Sequence, residues 1–374
     1  MTDQTHTPYQ LIGTESSLFT GKVRGYMRYK NIPFMETISS LSVYQKVITP
    51  RVGKRIIPLL ITPDDQCIQD TTCIIDHLEQ HFPSKSVYPD TPKQKLASLL
   101  LECFGDEWLV MPAMHYRWRF KRYNLPFILK EFGQTAMPNL PGFTHYFIGM
   151  IPAMAFGNLY RPYFGLDNKA IEKSIEISYE ALLDDLNKHF EQYPYLLGDR
   201  PSIGDYGFLG PFYAHFYRDP YPGKMLKKRA PFVAKWVRRM EFLEDARYGD
   251  FLPNDEIPET LMPILSRMAK EQFPVLEDTA SQLDSWCKKN SHTKNIKRVI
   301  GQHSFSIEGA TSKRSITPFS YWMFQRALHV YNEETEHRKT LDTFLQEIGG
   351  TQAFSKQANT QLAYENYRLV STSN

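Results

Sequence analysis

The chain of 374 residues is long enough for two or three domains, and its 42% hydrophobic and 23% charged residues are ordinary globular values that exclude wholesale disorder. A formal net charge of +3 is too small to make nucleic acid or an anionic membrane the main partner. Cys67, Cys73, Cys103 and Cys287 are widely scattered and form neither a C-x-x-C pair nor a Cys/His cluster of zinc spacing, which points to a reducing compartment and to no metal.

The amino terminus has neither a basic start nor an apolar run, so no secretory leader is expected and the chain reads as cytoplasmic. Residues 9–12 read as a short buried strand, residues 20–29 as a helix and residues 32–36 as a returning strand, a β-α-β unit. A third strand is expected over 56–61 with Pro58 inside it, an awkward place for a residue that cannot donate to a ladder. The turn Asp64-Asp65-Gln66 leads to a brief strand at 67–69 and to an amphipathic helix over 70–81, with Ile74, Ile75 and Leu78 facing inward. The order predicts a thioredoxin-like α/β domain over residues 1–85.

Three prolines and two serines in residues 83–92 mark a linker. Helical spacing of apolar residues then begins at Lys93 and predicts an all-helical domain over 93–250. Within it, Ser202 and Asp205 stand three apart as a short-armed capping box, ahead of a helix that is apolar on all sides and belongs in a core. The apolar stretch 143–160 is interrupted by His145, Pro152, Asn158 and two glycines. It falls short of the about twenty apolar residues a membrane span needs, and a packed helical insertion is expected. Aromatic residues make up 14% of the chain, which fits a thick helical core and, secondarily, an apolar pocket. Residues 251–374 predict an α+β extension. Prolines 253, 258 and 263 break the chain, helices follow near 265–270 and 276–289, a hairpin spans 298–316, and a helix covers 322–337. Its residues leave open whether it covers a pocket, makes a dimer contact or binds a partner.

Four motifs resemble the glutathione transferase superfamily in its cytosolic, serine- or cysteine-type branches. The run Ser16-Ser17-Leu18-Phe19-Thr20-Gly21-Lys22-Val23-Arg24 resembles the family's catalytic loop, in which the hydroxyl or thiol stands five residues before a K/R-x-R pair; counting back from Lys22 gives Ser17. Read on spacing alone, Ser16, Ser17 and Thr20 are helix caps. The resemblance adds a role for Ser17: a hydroxyl at a helix amino terminus stabilises the glutathione thiolate, with about 0.3–1 kcal/mol more from the helix dipole. Ile57-Pro58 is similar to the family's cis-proline, with Ile57 pairing its main chain to the cysteinyl part of glutathione. In Gln69-Asp70-Thr71-Thr72, Asp70 and Thr71 occupy the acid and hydroxyl positions that receive the γ-glutamyl group, with Asp in place of the family's Glu. The run from Tyr195 to Asp205 resembles the folding motif of the helical domain.

The resemblance implies an enzyme that activates glutathione, its co-substrate, through Ser17 and conjugates it to a small apolar electrophile, as a detoxifying cytoplasmic homodimer. It further implies Lys46 and Arg51 as contacts for the glycine carboxylate of glutathione, and Tyr116 and Phe120, in the basic-aromatic run 114–123, as walls of the second-substrate pocket. Two alternatives stand beside this reading. One is a non-catalytic binding or scaffold protein on the same fold; the other is a glutathione-dependent isomerase or dehalogenase.

Overall fold

The computed structural model describes residues 8–166, 168–246 and 248–372; residues 1–7, from which the absence of a leader was read, lie outside them. The first domain is built from β1 (Tyr9–Gly13), α1 (Leu18–Tyr29), β2 (Phe34–Ile38), β3 (Leu59–Ile61), β4 (Cys67–Gln69) and α2 (Thr71–His81). Its sheet runs in the order β2-β1-β3-β4, with β2 parallel to β1 and the other two pairs antiparallel. This is the thioredoxin-like mixed sheet that the β-α-β unit and the following β-β-α predicted. The third strand starts later than expected, because Ile57-Pro58 is a cis peptide bond and the ladder forms only from Leu59, beyond the residue that has no N–H to give. Between β2 and β3 the chain makes short helical turns from Leu41 to Val52, closed by Gly53 at a φ of 68° that a side chain would strain.

The helical domain comprises α3 (Pro92–Cys103), α4 (Val110–Arg119), α5 (Lys121–Ala136), α6 (His145–Tyr163), α7 (Lys169–Gln192), α8 (Ile203–Pro211), α9 (Pro220–Arg229) and α10 (Pro231–Phe242). The helix α8 is buried along its whole length, as its all-round apolar sequence requires. The Asp205 carboxylate accepts from the Ser202 N–H at 2.9 Å, the Leu196 N–H at 3.0 Å and the Trp236 indole at 3.1 Å, so one side chain closes the cap and ties three segments.

The stretch 143–160 is helical, but only one face of it packs. The α6 backbone lies directly on α5 at Gly149, where a Cβ would meet the Leu129 carbonyl at 1.9 Å. Its other face leaves Phe147 and Ile151 exposed, along with Phe143 just ahead of it. Among the described residues no helix is long and apolar enough to cross a membrane.

The extension adds α11 (Met262–Glu271), α12 (Phe273–Lys289), the hairpin β5–β6 (Gly301–Ile307, Ala310–Ile316), α13 (Pro318–Glu333), α14 (Arg338–Ile348), α15 (Thr351–Ser355) and a second hairpin β7–β8 (Leu362–Glu365, Arg368–Ser371). It shares the main hydrophobic core: Met268, Phe273 and Phe324 join the same buried cluster as Leu99 and Phe104.

Candidate active site

The turn from β1 into α1 places Ser17 at the helix start. Its Oγ accepts from the Thr20 N–H at 3.2 Å and its N–H donates to the Thr14 carbonyl at 3.1 Å. The capping role expected on spacing is therefore filled. Because that role uses the oxygen only as an acceptor, the hydroxyl proton stays available to a ligand. Lys22 and Arg24 anchor the helix from below. Lys22 Nζ reaches Glu102 at 2.7 Å and Asp106 at 2.5 Å with no exposure; burial opposes its charge, and the two carboxylates outweigh that and hold its pKa above the usual value. Arg24 grips Glu36 with two nitrogens and reaches Glu241 at 3.2 Å. The K-x-R pair thus serves the footing of α1.

Above this footing lies a cavity of about 480 Å³. The first domain contributes Thr14, Ser16, Ser17 and Leu18 from the β1–α1 turn, and Arg55, Ile56 and Ile57 ahead of the cis proline. The main-chain N–H and C=O of Ile57 take no hydrogen bond among the described residues. Val110, Met114 and Arg117 face the cavity from α4; Phe132, Phe156, Tyr160 and Phe164 come from α5, α6 and the turn after it; Arg298, Arg314 and Thr317 come from the extension. Thr14 and Thr135 join the β1–α1 turn to α5 through their hydroxyls at 2.9 Å.

Of the residues singled out in the sequence, Ser17 and Ile57 meet in this cavity, with Pro58 buried behind them. The others do not. Asp70 caps α2, accepting from the Thr72 N–H at 2.9 Å, and Thr71 is only 3% exposed; neither lines the cavity. The β7–β8 hairpin lies against this helix start. The Tyr364 hydroxyl donates to the Gln69 side chain, the Tyr367 hydroxyl to the Cys67 carbonyl at 3.3 Å, and Lys54 Nζ to the Tyr367 carbonyl at 2.6 Å. Burial raises the Asp70 pKa above the ordinary carboxylate range.

Lys46 is exposed on the turns between β2 and β3, and Arg51 is spent on Asp65 at 2.8 Å; the basic residue that reaches the cavity is Arg55. Tyr116 and Phe120 lie outside the cavity lining as well. Tyr116 is 1% exposed and packs on Tyr179 at 4.9 Å, while Phe120 stacks on Tyr221 at 3.8 Å. Positions 110, 114 and 117 follow helical spacing and turn toward the cavity, so residue 116 is rotated into the core. The aromatic lining comes instead from Phe132, Phe156 and Tyr160, and the extension's arginines had no sequence signal beyond a basic hairpin.

A thioredoxin-like sheet, a serine at the start of its first helix, a cavity beside it and a helical second domain define the glutathione transferase type of fold. Residues 11–86 match the family model described as glutathione S-transferase, N-terminal domain, and residues 170–239 match that described as glutathione S-transferase, C-terminal domain. These two segments of the chain are thus similar to the two domains of the glutathione S-transferase superfamily. No curated protein matches it. Among solved structures it is similar to a tau-class glutathione S-transferase from mango, Mangifera indica (16% identity, 68% of this chain and 95% of that one, TM-score 0.40). Another is a glutathione transferase from Phanerochaete chrysosporium (11% identity, 64% and 98%, TM-score 0.45). A third, from Methylobacterium radiotolerans, was solved in complex with glutathione sulfonate (16% identity, 66% and 99%, TM-score 0.38).

Proposed function

We propose that the protein activates the thiol of glutathione at Ser17 and adds the thiolate to an apolar electrophile held in the adjoining cavity. The observation that carries this reading is the position of Ser17: at the α1 start, with its hydroxyl proton uncommitted, in the same cavity as the free main chain of Ile57. The hydroxyl donates to sulfur and, with the α1 amide dipoles, favours the thiolate over a thiol that is mostly protonated at neutral pH. The thiol proton passes to solvent. The sulfur lone pair then forms the S–C bond, and the displaced group leaves with its electron pair; in an addition, the carbon that gains the pair takes a proton from water. As part of the same proposal the protein works in the cytoplasm as a homodimer, on the strength of the family resemblance.

Replacing Ser17 with alanine is expected to slow conjugation of glutathione to an aryl chloride on the order of 100-fold, the usual scale for losing one donor to a developing anion. The lost cap costs only about 1 kcal/mol of stability, so the variant stays folded by thermal denaturation. An unchanged rate would remove Ser17 from the reaction.

A second reading, a binding protein on the transferase fold, is favoured by the closed start of α2, where Thr71 is buried and Tyr364 holds Gln69. Retention on immobilised glutathione separates the two readings: no retention and no turnover in the intact chain would support the binding protein.

A further inference from the structure

Arg314, on β6, lines the inner cavity at 3% exposure, and its Nε and Nη1 have no hydrogen-bond partner. Its guanidinium lies 5.1 Å from the Trp108 ring, 5.7 Å from Phe164 and 6.0 Å from Phe305. Ring faces soften the cost of burying a cation, but they leave its planar donors unspent. A buried charge without a partner is unfavourable, so such an arginine is suited to receive an anion.

The other charges around the cavity do not supply one. Glu107 and Arg314 attract each other without an ion-pair contact, but burial and the neighbouring Asp106 outweigh that attraction and push the Glu107 carboxyl up to about 8, so it is largely protonated at neutral pH. Asp106 is engaged by Lys22, and Arg117 is paired with Asp219 and Glu131. At the mouth, Arg55 and Arg298 are exposed, with Tyr160 and Tyr163 close enough to act on the Arg298 charge, which adds positive potential along the entrance. Met114, Phe132 and Phe156 add hydrocarbon to the same lining.

We propose that this cavity takes an apolar carboxylic acid, its carboxylate held by the Arg314 guanidinium and its hydrocarbon body lying against Met114, Phe132 and Phe156. The planar fork of arginine matches a carboxylate with two parallel hydrogen bonds, and a largely apolar pocket with one unpaired interior cation selects an amphiphilic anion over a neutral lipid or a small polar acid. As a statement about the second substrate, the proposal rests on the conjugation reading; as a statement about binding, it stands without it.

Calorimetric titration of the full-length protein with dodecanoate and with dodecanol, in the absence of glutathione, tests the inference apart from any turnover. Dodecanoate is expected to bind at least about tenfold more tightly than dodecanol, one charge-assisted pair being ample for that ratio. In Arg314→Met the dodecanoate affinity should fall by about tenfold or more while dodecanol is held as before, and Arg314→Lys should recover part of the loss. Equal affinities for acid and alcohol in the unaltered protein would overturn the proposal, as would full retention of dodecanoate by Arg314→Met. If Arg314→Met fails to melt cooperatively by circular dichroism, the acid-to-alcohol ratio of the unaltered protein decides. Failure of acid binding with normal Ser17-dependent conjugation would overturn the substrate class alone, whereas acid binding without conjugation would overturn the reaction alone.

Discussion

Two helix starts of the thioredoxin-like domain carry the same kind of local chemistry and meet different surroundings. Ser17 caps α1 and Asp70 caps α2, each accepting from a main-chain N–H in the first turn. Ser17 opens into the cavity; Asp70 and Thr71 sit beneath the β7–β8 hairpin, beside Tyr364. Capping is a property of a few adjacent residues, while access to a ligand is decided by a segment almost 300 positions further along the chain, as the Gln69–Tyr364 contact at a separation of 295 shows. A helix start that fits a ligand motif therefore specifies a local geometry and leaves its use to the rest of the fold.

Lys22 connects the two starts, since it pairs with Glu102 and Asp106 under α1 and its charge also acts on Asp70. Removing it gives the largest expected effect. Lys22→Met should cost about 3–5 kcal/mol in chemical denaturation, because it leaves the buried Asp106 without its cation and Glu102 with Arg326 alone. A loss below about 1 kcal/mol would show that the triad does not hold α1 in place. Opening the closed start comes next: with Tyr364 and Tyr367 both changed to alanine, glutathione affinity should rise about tenfold if the hairpin competes for the Asp70 end, since a binding-competent state that was a minor population becomes the main one. Unchanged affinity would mean that Asp70 is not used for binding.

The smallest effect is on pH dependence. The folded-state pKa of Asp70 is raised by burial, so the folded protein holds this proton more tightly than the unfolded chain does. Its contribution to stability is present below the ordinary aspartate range and is lost as pH rises from about 4 through the raised value. Asp70→Asn should therefore show a flatter stability curve over that window, and superimposable curves would place the Asp70 carboxylate in water.

The sheet, the Ser202–Asp205 cap and the buried α8 were legible because each is written in residues close together in sequence, whereas the cis Ile57-Pro58 bond was implied by the family resemblance alone. The aromatic wall is not legible in the same way: Tyr116 and Met114 are two positions apart on α4, and the packing of Tyr116 on Tyr179, Phe120 and Phe216 turns it away from the cavity that Met114 lines. Arg55 was passed over for Lys46 and Arg51, since a basic residue in an irregular segment carries no periodicity to reveal its direction. Arg314 was hidden more deeply. A strand places it, two separate regions build its aromatic surround, and the cavity it faces is closed by an insertion that neither family model covers.

Glu102 gathers what the linear description separates. It accepts from Lys22 of α1 at 2.7 Å, from the Thr72 hydroxyl of α2 at 3.0 Å and from Arg326 of α13 at 2.6 Å, and Arg326 also holds Asp76 at 2.9 Å. One interior carboxylate is thereby shared by the sheet domain, the helical domain and the extension. Detaching any one of the three strands the charge of the others, so loss of structure in the extension propagates through Glu102 instead of ending at a domain boundary. The last third of the chain is accordingly tied by both charge and hydrophobic packing to the two domains before it, and a chain cut to two-domain length would leave Glu102 without its Arg326 partner.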